Sequence, residues 1–233
     1  MMVVMMYSGM SMSFGTVEPP WRWVANGALL IQFLLVHSFF LTDKGRIVLA
    51  FLAPQGLGER LSTTTYVTIA GLQACALFAL WSPTGIVWWQ AEGSRFFFML
   101  GLYASAWMLL GKSMVDAGFA LQTGLLGWWA VLSNKKPVYP SMPHTGLFRI
   151  SRQPIYVSFT LTLWSVPTWT PDQLVVAITF SLYCLLGPLF KEARFRRLFG
   201  SEFESYCRRV PYWLPWPRIR RPPPHQDYFN ETK

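Results

Sequence analysis

Two stretches of this sequence hold side chains able to do chemistry together. The first is HTGLFRISRQPIY, His144 to Tyr156, which brings an imidazole, the guanidiniums of Arg149 and Arg152, the Gln153 amide and the Tyr156 phenol close along the chain. The second, FKEARFRRLFGSEFESYCRRVPYWLP, carries Lys191, Glu192, Arg194 and Tyr206. A guanidinium suits a carboxylate, and a carboxylate beside aromatic faces suits a cation. Each residue also has a plainer reading. Pro154 is a favoured first residue of a helix, with Ser151 placed to cap the turn. Arg152 reads equally as a cationic anchor at a membrane edge. Glu192 stands four residues before Arg196, the favourable order for a helical ion pair. His37, beside Ser38, is either a hydrogen-bonded packing group or a proton carrier. Asp116 can pair with Lys112, and Tyr206 can be an interfacial aromatic. A metal is not expected: Cys75, Cys184 and Cys207 are scattered, and His37, His144 and His225 make no CxxC, HExxH or HxH spacing.

The elements that must position these groups are membrane helices. Of 233 residues, 52% are hydrophobic and 13% charged, and the mean hydropathy of +0.30 is above that of an ordinary soluble domain. Such a composition excludes disorder, and three cysteines exclude a disulfide scaffold. The aromatic share of 17% suits a bilayer. Trp21 to Leu41 is long enough to cross a hydrocarbon core of about 30 Å. Further spans are expected from Thr64 to Trp81, from Phe96 to Leu110, from Pro154 through IYVSFTLTLWSVP, and through LVVAITFSLYCLLGPLF up to Lys191. IVLAFLAP reads as an interfacial or re-entrant segment, and the glycine-bearing stretch from Val115 to Leu132 as an interfacial or partly buried one. The expected fold is an all-α integral membrane bundle of about five transmembrane helices with a cytoplasmic C-terminal helical region. Along the chain this gives a flexible tail over 1–20, the bundle over 21–190, a cytoplasmic helical segment over 191–217 and a disordered, basic, proline-rich tail over 218–233.

The net charge of +9 follows the same plan. Ten of the twenty Lys and Arg residues lie at or after Lys191, and Lys112, Lys135, Lys136, Arg149 and Arg152 surround the segment before the Pro154 span. The stretches Ser82 to Ser94 and Thr168 to Gln173 hold no basic residue. Basic loops stay cytoplasmic, so the N terminus is expected outside and the C terminus inside. The charge then serves topology, and no nucleic-acid partner is expected.

The two chemistry-bearing stretches resemble the integral-membrane methyltransferases related to isoprenylcysteine carboxyl methyltransferase and the phospholipid methyltransferases. Their pattern runs as GxxxxxRHPxY, a helical hairpin, EE and FGxxYxxYxxxVP, and Gly146, Arg152, Pro154, Tyr156, Glu192, Phe199, Gly200, Tyr206, Val210 and Pro211 fall on it. Upstream, LLVHSFFL, ERLSTTTYV and LFALWSPTGIVW, with LWSVPTWT later, are similar to elements of the methanethiol S-methyltransferase group. The likeness spans most of Leu34 to Pro215.

This resemblance implies S-adenosylmethionine as cofactor, Arg152 and Glu192 as catalytic residues, and a cofactor-binding set of His144, Gly146, Arg152, Gln153, Pro154, Tyr156, Glu192 and Tyr206, with no metal. It implies a small thiol acceptor, methanethiol giving dimethyl sulfide, in a membrane-lipid setting. A prenylated or lipid-like acceptor is one alternative, and a retained fold without the reaction is another. Methyl transfer to a thiol must align two sulfurs and keep water out. Arg149, Arg152 or Arg194 can supply the positive field that eases loss of the thiol proton. The sequence departs from the pattern twice: RHP reads Arg152-Gln153-Pro154, and the paired carboxylates read Lys191-Glu192.

Overall fold

The structure is a computed structural model that describes residues 1–54 and 56–214. The tail expected over 218–233 and the last residues of the segment expected over 191–217 lie outside the described residues. The helices are α1 (Met2–Tyr7), α2 (Trp21–Phe40), α3 (Asp43–Leu52), α4 (Gly58–Leu80), α5 (Gly93–Asp116), α6 (Phe119–Gln122), α7 (Leu125–Leu132), α8 (Pro154–Trp164), α9 (Pro171–Phe199) and α10 (Ser201–Arg209). Two short strands, β1 (Trp89–Gln90) and β2 (Thr168–Trp169), pair antiparallel, and a 3-10 turn covers Gly146–Arg149.

The chain is an all-α membrane bundle. Among the described residues, α2, α4, α5 and α9 are long and apolar enough to cross a bilayer, with mean hydropathies between 1.3 and 1.9 over their best windows. Their outward side chains, Ile31, Leu35, Leu72, Phe97, Met108 and Leu182 among them, are exposed, as a lipid-facing surface requires.

The starts of α3 and α9 follow local chemistry. Thr42 Oγ1 accepts from Gly45 N (3.1 Å), and Thr170 Oγ1 accepts from Gln173 N (2.9 Å) ahead of Pro171 in the first helical position.

One end of the bundle is tied by loop contacts, here called the latch end. Asn26 and Ser82 exchange two hydrogen bonds (2.8 and 2.9 Å), which fixes the start of α2 against the end of α4. The buried Asp172 carboxylate accepts from Trp81 Nε1 (3.0 Å), Thr84 N (2.9 Å) and Thr84 Oγ1 (2.5 Å). Trp89 faces Trp169 and Gln90 faces Thr168 in the β1–β2 ladder. At the opposite end the turn before α8 meets the ends of α5 and α9. Helices α2, α4, α5, α8 and α9 therefore alternate in direction, as the span pattern requires.

Three expectations are corrected. The span expected from Pro154 is an α8 of 11 residues, about 16 Å at 1.5 Å per residue against a core of about 30 Å. Val166 and Pro167 follow it, and Thr168 and Trp169 are drawn into the ladder with β1.

The stretch over 1–20 is not a free tail. Met5, Met6 and Met10 are buried in the main core with Leu77, Trp81, Leu163 and Phe180. Tyr103 Oη donates to Val3 O (2.7 Å), and Thr170 Oγ1 donates to Gly9 O (2.5 Å). Unbranched methionines fill the irregular gap that straighter helices leave there.

The stretch over Val115 to Leu132, expected as interfacial or partly buried, ends α5 and forms the short helices α6 and α7, with glycines in the left-handed region at Gly118 and Gly124 making the corners. Finally, no boundary falls between 190 and 191, because α9 runs unbroken to Phe199.

Candidate functional site

Helical periodicity places Glu192 for chemistry. Cys184, Pro188 and Glu192 follow at intervals of four on the buried face of α9, so the carboxylate points inward where the helix passes the start of α8. Arg152 reaches it from the turn before α8. Its Nε donates to Glu192 Oε1 (2.8 Å) and its Nη2 to Oε2 (3.3 Å), a two-point pairing of side chains only 12% and 4% exposed.

The guanidinium has further partners. Its Nη1 donates to the carbonyls of Cys207 (3.0 Å) and Val210 (3.1 Å), the Arg152 backbone N donates to Pro211 O (3.0 Å), and the Tyr212 ring lies 5.6 Å from the guanidinium. Gln153, where the family pattern has histidine, donates from Nε2 to Glu192 Oε1 (2.8 Å). Its Oε1 is buried without a hydrogen-bond partner. Arg196 stands further away, at 3.8 Å from Glu192 Oε2.

The third wall comes from α10 and the segment before α8. Phe203, Tyr206 and Val210 pack with Met142, Phe195 and Phe199. Tyr206 Oη donates to Phe148 O (2.7 Å), and burial pushes its phenol above the ordinary range, so it stays a proton donor. Burial likewise raises the Cys207 thiol, which disfavours its reactive thiolate. Gly146 has φ +57°, and a Cβ there would collide with the Asp116 carboxylate. That carboxylate accepts from Leu147 N (2.9 Å) and pairs with Lys112, which holds the 3-10 turn against the end of α5.

Between these walls lies a cavity of only about 10 Å³, bounded by Phe148, Arg152, Gln153, Lys191, Phe203 and Tyr206. The Lys191 ammonium lies 5.4 Å from the Tyr156 ring centre and 5.7 Å from that of Phe195. A groove of about 300 Å³ between α4 and α7, walled by Leu61, Thr64, Thr68 and Trp128, shares no wall residue with it.

Of the residues expected at the site, Arg152, Gln153, Glu192 and Tyr206 come together. Tyr156 stands behind Lys191, Pro154 is buried as the first residue of α8, and Gly146 lies on the adjoining turn. His144 does not join them: it is exposed, with Nδ1 on Met142 O (2.9 Å).

Sequence reasoning gave Phe148, Phe203 and Asp116 no place in the site and met Lys191 only as a departure from the family pattern. Phe199, Phe203, Tyr206 and Val210 recur at helical spacing, a signal that could have found Phe203. The upstream motifs lie elsewhere. LWSPT and PTWTPD meet around Asp172 at the latch end, and His37 meets Tyr66, with Nε2 2.7 Å from Tyr66 Oη.

Comparison with known proteins finds relatives. The methanethiol S-methyltransferase of Pseudomonas deceptionensis is 30% identical over 171 residues, which cover 72% of this chain and 63% of that protein. Methanethiol S-methyltransferase 1 of Bradyrhizobium diazoefficiens is 28% identical over 196 residues, 84% of this chain and 67% of its own length. The chain is a relative of the methanethiol S-methyltransferases. Nurim of Xenopus laevis is similar as well, 28% identical over 174 residues, 68% of this chain and 57% of nurim. The match thus spans less than two thirds of the Pseudomonas methyltransferase. No family model matches the chain, and no solved structure matches it.

Proposed function

We propose that the protein is a membrane S-methyltransferase that moves a methyl group from S-adenosylmethionine to a small thiol, methanethiol giving dimethyl sulfide. The observation that carries this reading is the Arg152–Glu192–Gln153 network. It gathers charged and polar groups from the turn before α8 and from α9 beside aromatic rings from α10. The donor set suits a ligand with a carboxylate, an ammonium and a sulfonium. Arg152 and Lys191 suit the carboxylate, the unpartnered Gln153 Oε1 suits an N–H or O–H donor, and Phe148, Phe203 and Tyr206 offer faces to a cation. Once bound, the cofactor supplies an electrophilic methyl.

Glu192 acts through Arg152. Both carboxylate oxygens are already engaged, so its part is to fix the guanidinium rather than to meet the ligand. The aromatic walls exclude water from the displacement. Ligand pockets for such molecules run to about 300 Å³ or more, far above the present cavity, so binding requires α10 and the segment over 142–148 to move outward. Gly200, at φ +50° between α9 and α10, is where such a movement has backbone freedom. With basic residues gathered at this end, the site and the C terminus face the cytoplasm. A non-catalytic relative is the second reading, favoured by the closed cavity and by Lys191 where the pattern has an acid.

The test is calorimetric binding of S-adenosylmethionine to detergent-purified protein, followed by gas-phase detection of dimethyl sulfide from methanethiol. Binding and product above a no-enzyme control are expected. A folded protein that does neither returns the weight to the non-catalytic reading.

A further inference from the structure

The groove between α4 and α7 stands apart from the network just described. Leu61, Thr64, Thr65, Thr68 and Ile69 of α4 wall it on one side and Trp128 of α7 on the other. On α4 these residues recur at helical spacing, so they make one stripe about 12 Å long at 1.5 Å per residue. Close packing fixes its shape. Thr64 Oγ1 donates to Gly124 O (2.6 Å), and a Cβ at Gly127 would collide with Thr64 Oγ1 and Arg60 O, so α7 rests on the α4 backbone itself.

Two features of the groove are unspent. Thr63 pairs with Tyr139 (3.4 Å) and Thr64 with Gly124, whereas the Thr65 and Thr68 hydroxyls make no hydrogen bond among the described residues. Hydrocarbon offers them none either. The outer end of the groove is basic. Arg60 Nη1 donates to Asn134 Oδ1 (3.1 Å), which ties the start of α4 to the chain leaving α7 and sets the exposed Lys135 and Lys136 beside the guanidinium. Glu59 is the acid next along the chain, and no ion pair joins it to these three cations among the described residues. The rim is therefore net positive, and most of the Arg60 N–H groups have no acceptor there.

A glycerophospholipid answers all three parts of the groove in one molecule. Its phosphate is an anion, its ester carbonyls accept hydrogen bonds without donating, and its acyl chain is apolar. Arg60 and Thr65 are about 7.5 Å apart along the helix, of the order of the step from the phosphate of such a lipid to its ester groups. We propose that the groove is a binding site for one anionic glycerophospholipid. The phosphate meets Arg60, Lys135 and Lys136, the ester carbonyls accept from Thr65 and Thr68, and the acyl chain lies along Ile69 and Trp128. A zwitterionic lipid has the same esters and chain, but its own cation opposes the rim, so the rim selects a net negative headgroup.

The test titrates delipidated protein in detergent with dioleoylphosphatidylglycerol and with dioleoylphosphatidylcholine, and native mass spectrometry counts the lipid bound per chain. Wild type should take one phosphatidylglycerol about 10-fold more tightly than phosphatidylcholine. Arg60→Gln, Lys135→Gln and Lys136→Gln together should bring the two lipids within about 2-fold of each other. The same loss of charge outside the groove, by Lys44→Gln, Arg149→Gln and Arg197→Gln, should leave the preference in place. Thr65→Val with Thr68→Val, which keeps the shape and removes the hydroxyls, should weaken both lipids about 5-fold alike. Equal affinity for the two lipids in wild type, or a preference that the rim changes leave intact, overturns the site. So does a preference that the distant changes remove equally, because the charge would then act without a groove. Methyl transfer as proposed above stands or falls separately from each of these results.

Discussion

The pairing of Arg152 with Glu192 can be weighed by removing each partner and then both. Glu192→Leu leaves a guanidinium that is 12% exposed without its carboxylate, and Arg152→Leu leaves a carboxylate that is 4% exposed with the Gln153 amide as its nearest remaining donor. Breaking a buried pair from one side costs about 3–5 kcal/mol, whereas replacing both members by apolar groups is often close to neutral. At about 2–4 °C per kcal/mol for a chain of this size, each single variant should lower the apparent Tm in detergent by about 6–20 °C. The double variant does not return fully, because the carbonyls of Cys207 and Val210 lose the donor that Arg152 Nη1 supplies. The double loss should still fall short of the summed single losses by about 1.5 kcal/mol or more. Tryptic cutting after the exposed Arg209 reports the same event locally, since α10 is held down by these bonds. Losses that add within about 0.5 kcal/mol would show that the two side chains do not depend on each other, and the account of the site given above would fall.

Two more outcomes are expected. Gly146→Ala puts a Cβ into the Asp116 carboxylate at a φ of +57°, so it should destabilise by about 2 kcal/mol or more and, by shifting the 3-10 turn, weaken cofactor binding; unchanged thermal unfolding would remove that contact from the argument. Burial pushes the Tyr212 phenol from 10.0 up to about 12, and its hydroxyl donates to Leu185 O (2.8 Å). The folded state thus favours the protonated phenol. Its contribution is complete below about pH 10 and is lost as the pH climbs towards about 12. Tyr212→Phe should flatten that alkaline fall in apparent Tm, and an unchanged slope would place its cause elsewhere.

The long apolar helices were legible because lipid exposure demands apolar residues on every outward face, which hydropathy measures directly. The ends were less so. Two-residue strands leave no periodicity, so the ladder that shortens α8 had no signature. Met5, Met6 and Met10 sit in a stretch of methionine, serine and glycine that reads as a free tail, yet all three are buried in the core with residues from distant helices. At the site, Arg152 and Glu192 stood out by type, but the second anchor of the guanidinium is the backbone of residues 207 and 210, and a carbonyl carries no residue identity. Lys191 read as a departure from a pattern. Only the packing shows its ammonium between two aromatic rings.

The latch end has a consequence for the membrane itself. Asp172, Trp81, Thr84, Asn26 and Ser82 spend their hydrogen bonds on one another. Beneath them Leu77, Phe78, Leu163, Val166, Val176 and Phe180 form an apolar layer, each no more than 4% exposed. This layer stands between the polar groups of the bundle and the latch-end face. A charge crossing a bilayer gains or loses about 2.3 kcal/mol per 100 mV, so a water file through the helices would drain the potential across the membrane. With no polar side chain among these six residues, the layer lets the bundle keep the membrane insulating where its helices cross.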